Sequence, residues 1–261
     1  MPVRAPFPWR AWASFFVVCA LVWWSAHGTG ASFAALVEGA PKFGDFVERL
    51  LPTPDHPWPW DYLPQIEQRL VETVKISAAA TILGALLAFP FLLLSARSLA
   101  ASRLVYGIGR TLLNLQRTVP DLVLAALLAR AFGLGPLAGV VALIFVTFGM
   151  VAKLLSDTVE TLDPGPREAL EASGATRLQT LLHAVLPQIA PDYLAFTLYA
   201  FEINIRVAAV LGFVGAGGIG FILQTDINLM RYGRVGLIIA ATFAIVFLVD
   251  MISSWLRSKL V

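Results

Sequence analysis

Residues 163–191 read DPGPREALEASGATRLQTLLHAVLPQIAP, a polar elbow between two long apolar runs. Pro164 and Pro166 suit a helix start, because their missing amide hydrogens would be unpaired there in any case, and Gly174 suits a stop. The expectation is a short helix from about Arg167 to Ser173, then a turn. Leu178, Leu181 and Leu182, spaced i, i+3, i+4, resume a helix, and Pro187 marks a bend as it nears the membrane. By these features alone the elbow is either a surface loop or a rigid lever.

The surrounding chain decides what kind of protein carries it. Of 261 residues 58% are hydrophobic and 14% charged, against about 45–50% and about 25% in soluble domains. A helix needs about 20 apolar residues to cross a hydrocarbon core roughly 30 Å thick. Six segments meet that length: Trp9 to Ala26, Leu70 to Ser95, Leu104 to Phe132, Pro136 to Ser156, Ala184 to Val214 and Val235 to Trp255. The third and fifth exceed one span, so they must tilt, break or extend beyond the bilayer. The first resembles a secretory signal, although Trp23 and Trp24 suit an anchored span with an interfacial aromatic belt. The reading is an all-α membrane protein of about six transmembrane helices.

Short loops gather Lys and Arg on the cytoplasmic side. Arg4 and Arg10, Arg97 and Arg103, Lys153, Arg167 and Arg177, then Arg257 and Lys259 all fall on one side of six spans. Both termini are therefore expected in the cytoplasm. Residues 27–67 then form an outer acidic loop with Glu38, Asp45, Glu48, Asp55, Asp61 and Glu67, and the five prolines of LPTPDHPWPWDYLP exclude a continuous helix there. It reads as a stiff connector or as a rim met by an outside partner. Residues 215–234, with Asp226, Arg231 and Arg234, form the other outer loop.

The fifth span carries Glu202, Asn204 and Arg206. Ten Leu, Ile, Val and Phe residues from Tyr193 to Phe213 contribute roughly −3 to −6 kcal/mol to insertion, while two central charges cost about 5 to 7 kcal/mol. The balance is near zero or unfavourable, so this face belongs against protein or water. Glu202 and Arg206 are one turn apart, and two readings stand: a self-neutralising pair, or groups lining a path, where a guanidinium suits a tetrahedral oxyanion. Arg117 and Asp121 repeat the spacing around Pro120, which is either a hinge that places Arg117 on the path or a kink that only improves packing. After the fifth span, GFVGAGGIG supplies Gly212, Gly215, Gly217, Gly218 and Gly220. Gly215, Gly217 and Gly218 read as an outer gate and turn, or as a passive loop that lets two spans approach.

Other chemistries find little support. A net charge of +2 leaves no nucleic-acid footprint, Cys19 is the sole cysteine, and His27, His56 and His183 are scattered. No serine, cysteine or carboxylate constellation of hydrolytic type and no metal-ligand spacing is present. The chain also lacks the G-x-x-x-x-G-K-[ST] phosphate loop, so an ATP-driven engine would have to be another polypeptide. A passive channel is disfavoured by the elbow.

The stretch EALEASGATRLQTLLHAVLP resembles the EAA motif of ABC importer permeases. Glu168, Ala169, Gly174, Leu186 and Pro187 fall on the pattern, while Leu170 and Ala184 depart from it. NLQRTVPDLVLA, LHAVLPQIAPDYLAFTLYAFEINIR and AAVLGFVGAGGIG extend the likeness to the permeases of phosphonate importers, with phosphite and hypophosphite transporters similar enough to remain open. The resemblance implies a type I ABC importer permease fold with a cytoplasmic coupling helix near 164–174, in which Glu168, Ala169 and Gly174 serve ATPase coupling. It implies a bacterial inner-membrane homodimer with two ATP-binding subunits that carry the ATP and Mg, and no cofactor in this chain. A substrate-binding protein would deliver a phosphonate-type small molecule from outside. The expected organisation is residues 1–66 as anchor and periplasmic loop and 67–261 as permease core, with Arg117, Glu202, Asn204 and Arg206 on the substrate pathway.

Overall fold

Helices are the only regular elements among the described residues of the computed structural model, which describes residues 9–29, 32–54, 56–100 and 102–259. Arg4 and Asp55, both used in the charge reading, lie outside them. The chain divides into a unit at Met1–His56 and a unit at Pro57–Val261.

In the N-terminal unit the expected first span forms α1, Trp9–Thr29. The expected loop after it is corrected: α2, Phe33–Leu50, is an 18-residue helix opened by Ser32, whose side chain accepts from the Ala35 amide at 3.1 Å. A helical period in Val37, Ala40, Phe43 and Val47 outweighs the single Pro41, and the exclusion of helix holds only for residues 51–59.

The second unit begins with a 3₁₀ turn, Trp60–Tyr62, that runs into α3, Leu63–Ser95. The expected third span is two helices, α4 at Arg103–Gln116 and α5 at Asp121–Phe132, bent by 84°. Pro120 lacks an amide hydrogen and disfavours helix in the residue before it, so the chain leaves the helix over 117–120. Then come α6, Pro136–Thr161, α7, Gly165–Ala172, and α8, Arg177–Thr180. A π-helical segment, Leu181–Val185, joins α8 to α9, Leu186–Leu211. The second expected outer loop is also corrected, since it contains α10, Ile219–Asn228, ahead of α11, Tyr232–Arg257. Among the described residues four helical segments are long and apolar enough to cross a membrane, and the bent α4–α5 pair would make a fifth; α1 is not among them.

The second unit has three stacked cores. Leu92, Leu155, Val159, Val185 and Ile189 fill the one nearest the elbow. Ile76, Leu143, Ala208 and Leu211 fill the middle, and Tyr62, Ile66, Ile219 and Ile238 the far end. Helices α3 and α6 pair along their length and cradle α9, which therefore connects the elbow with the middle of the molecule.

Candidate functional site

The elbow is shaped by local hydrogen bonds. At the end of α7 the Ala175 amide donates to the Leu170 carbonyl at 3.0 Å and the Gly174 amide to Glu171 at 3.1 Å, a Schellman stop that holds Gly174 at φ 84°. Two residues later Thr176 and Gln179 form a reciprocal capping box that starts α8. Pro187 has no amide to give the carbonyl of His183, and its ring crowds that carbonyl. The turn before it widens instead, with the Leu186 amide reaching Leu181. No residue of α7 is buried, so Glu168 and Ala169 sit on a protruding helix. Nothing lies within 4 Å of a Cβ added at Gly174, so its backbone angle, not close packing, is the requirement.

The glycine turn is fastened on two sides. Gly215, Gly217 and Gly218 have φ of 85°, 81° and 71°, values that L side chains rarely adopt. The Gly135 amide donates to the Gly215 carbonyl at 2.8 Å, and the Ile219 amide to Thr73 Oγ1 at 2.8 Å. Thr73 begins a buried stripe on α3, in which Thr73, Ser77 and Thr81 each donate a hydroxyl to the carbonyl one turn earlier.

The same stripe receives Asn204. Its Nδ2 donates to Thr81 Oγ1 at 2.8 Å and to Thr147 Oγ1 at 2.7 Å, with no surface exposed. In this conformation Asn204 braces α3, α6 and α9. Arg117 caps the end of α4 and is exposed, while Asp121 opens α5. Among the described residues no ion pair joins them, because the break between α4 and α5 separates two groups that a continuous helix would have aligned.

Glu202 and Arg206 do meet, and a third residue joins them. Glu202 Oε1 accepts from Arg206 Nη2, and Oε2 accepts from Arg257 Nη2 at 3.0 Å. The Arg257 guanidinium also stands over the Tyr199 ring, 5.8 Å from its centroid. The Glu202 side chain is 8% exposed, Arg257 27% and Arg206 51%. Two guanidiniums on one carboxylate leave a net positive charge and unused donors on Arg206. Sequence reasoning used Arg257 only as a cytoplasmic charge, because nothing local links it to a residue 55 positions earlier. Asn204 touches α6 at Thr147, and Lys153 follows about 9 Å further along that helix. The cluster thus lies within two turns of the level at which α6 becomes charged.

Residues 80–261 match the family described as the inner membrane component of binding-protein-dependent transport systems. The chain belongs to that family. It is a multi-pass membrane protein and a transport component, with ATP hydrolysis left to a separate subunit. A phosphite transport system permease protein, PtxC of Stutzerimonas stutzeri, is 41% identical over 72% of this chain and 68% of its own length. A phosphate-import permease protein, PhnE of Mycolicibacterium smegmatis, is 40% identical over 73% of this chain, which spans only 36% of that relative. A putative phosphite permease, HtxC of Stutzerimonas stutzeri, is 32% identical over 95% of this chain and 86% of its own. In fold, a chain of the inward-facing MetNI methionine ABC transporter matches with a TM-score of 0.66 at 18% identity, over 75% of this chain and 96% of that one. The fold is that of the type I ABC importer permeases.

Proposed function

We propose that this chain is the membrane-spanning subunit of an ATP-driven importer for small phosphorus oxyanions of the phosphonate and phosphite type. The observation that carries this reading is the 41% identity to a phosphite permease across most of both chains. The Glu202, Arg206 and Arg257 cluster supports it physically, as a positive site of planar donors at membrane depth suits a tetrahedral anion. Its affinity stays moderate because Glu202 already occupies one face of each guanidinium.

The working assembly is two copies of this chain, two ATP-binding subunits that bind ATP and Mg, and an outer substrate-binding protein. It sits in the bacterial cytoplasmic membrane with both termini in the cytoplasm. Helix α7, with Glu168 and Ala169 exposed, is the docking element for the ATPase. Its motion passes through α8 and the π-helical segment into α9, which carries the charged cluster. Arg117, exposed at the break between α4 and α5, is a further pathway residue, and the Gly215–Gly218 turn closes the outer side.

The test is uptake. The permease, expressed with its ATPase and binding protein in a bacterium lacking phosphonate and phosphite uptake, should restore growth on one of these as sole phosphorus source and support ATP-dependent uptake. Failure on every phosphorus oxyanion by an assembled, ATP-hydrolysing complex would reject the substrate class. Uptake without the ATPase would reject the importer mechanism.

A further inference from the structure

The transport reading makes no use of α2. At 100° per residue, Val37, Ala40, Phe43, Gly44 and Val47 fall on one arc of this helix and Glu38, Lys42, Asp45 and Arg49 on the opposite one. Val37 is 57% and Phe43 67% exposed. No atom comes within 4 Å of a Cβ placed on Gly44, which lies within this arc.

What covers it follows from the helix before it. With 21 residues α1 is about 31 Å long, the thickness of a hydrocarbon core. It exposes Phe15, Phe16, Val17, Val18, Leu21 and Val22 around its whole circumference, a surface for lipid on every side. Residues 30–32 alone separate it from α2. Fully extended, that connection reaches roughly 14 Å. The first turn of α2 must therefore lie close to the end of α1.

We propose that α1 enters the bilayer and that α2 lies in the plane of the membrane surface at its end, with Val37, Ala40, Phe43 and Val47 sunk into the boundary between headgroups and acyl chains. The occupant of its apolar face is lipid. Glu38, Asp45 and Glu48 against Lys42 and Arg49 give the helix a net charge of −1. Apolar burial, not attraction to anionic lipid, holds it there.

Nitroxide labels report this directly in the complete transporter reconstituted into liposomes, in a Cys19→Ser background. Labels on Phe43→Cys and Val47→Cys should collide with oxygen in preference to a water-soluble nickel chelate, at a depth of about 5–10 Å below the headgroups. Labels on Glu38→Cys and Asp45→Cys should show the opposite preference. Exchanging zwitterionic for anionic lipid should leave both patterns unchanged. Shielding of positions 43 and 47 from both reagents would mean that protein covers the face, from this chain, a second copy or another subunit, and would overturn the proposal. Free access of the nickel chelate to both would overturn it too. Where a label disturbs the helix, quenching of Phe43→Trp fluorescence by brominated lipid reads the same depth, and absence of quenching counts equally against it.

Discussion

Arg257, in the last turn of α11, donates to Glu202 of α9 at 3.0 Å and thereby ties the C-terminal helix to the helix that leaves the elbow. Glu202 keeps Arg206 when Arg257 is removed, so what is lost is one charge-assisted hydrogen bond and the tie between α9 and α11. Arg257→Gln should therefore destabilise the protein by about 1.5–3 kcal/mol. Glu202→Gln combined with Arg257→Gln should cost less than the sum of the two. Thermal unfolding in nanodiscs of the two singles and the double measures this, and strict additivity would contradict the linkage.

Arg206 is half exposed and bonded on one side only. Arg206→Lys keeps the charge and loses the planar fork, so oxyanion uptake should fall about tenfold while ATP hydrolysis and assembly persist. Arg206→Gln should abolish uptake. Initial rates of phosphite uptake in vesicles decide it, with equal rates for both variants counting against a role in anion passage.

Gly174 offers a second test, since its φ is 84° and it has open space around it. Gly174→Ala and Gly174→Leu should impair coupling to a similar degree, and Gly174→Asn less, because asparagine tolerates the left-handed region better. The readout is substrate-stimulated ATP hydrolysis by the assembled complex. A leucine variant far worse than the alanine variant would restore crowding as the cause.

Gly218 combines strain with contact: φ is 71° and an added Cβ would stand 2.6 Å from Thr73 Oγ1, which accepts the Ile219 amide. Gly218→Ala should destabilise by about 2–4 kcal/mol. Gly44→Ala, in open helix, should be neutral or stabilising by up to about 1 kcal/mol. Comparative thermal unfolding separates the two.

Topology is tested by cysteine labelling in a Cys19→Ser background. Asp226 is buried and unsuited to a label, whereas Asn228 and Ser173 are exposed. An impermeant thiol reagent applied to whole cells should modify Asn228→Cys and spare Ser173→Cys until the membrane is opened. Modification of Ser173→Cys from outside would remove α7 from the ATPase side.

The elbow was legible because its determinants are local. Pro164, Pro166, Gly174 and the leucine spacing specify a start, a stop and a resumption within some twenty residues, and α7 lies within a residue or two of its expected limits. The Glu202 and Arg206 pair was legible for the same reason. Arg257 was not, because its partnership exists only once α11 folds against α9. The partners of Asn204 were not legible either, since a polar side chain in an apolar run reads alike whether it faces water or bridges Thr81 and Thr147. Helix α2 was missed because the acidic residues and prolines of 27–67 drew attention from Ser32 and the period running from Val37 to Val47.

The π-helical segment at Leu181–Val185 sets an azimuth. Each residue of an α-helix turns the chain by about 100°, and a π bulge corresponds to one residue inserted into that winding. Everything before it, α8 and the protruding α7 included, is thus rotated about the axis of α9 by roughly a quarter turn relative to an uninterrupted helix. The compass bearing at which α7 meets an ATPase is a property of Pro187 and the widened turn beneath it, separate from how far α7 projects. A subunit pushing on α7 acts on a crank whose angle was set during folding.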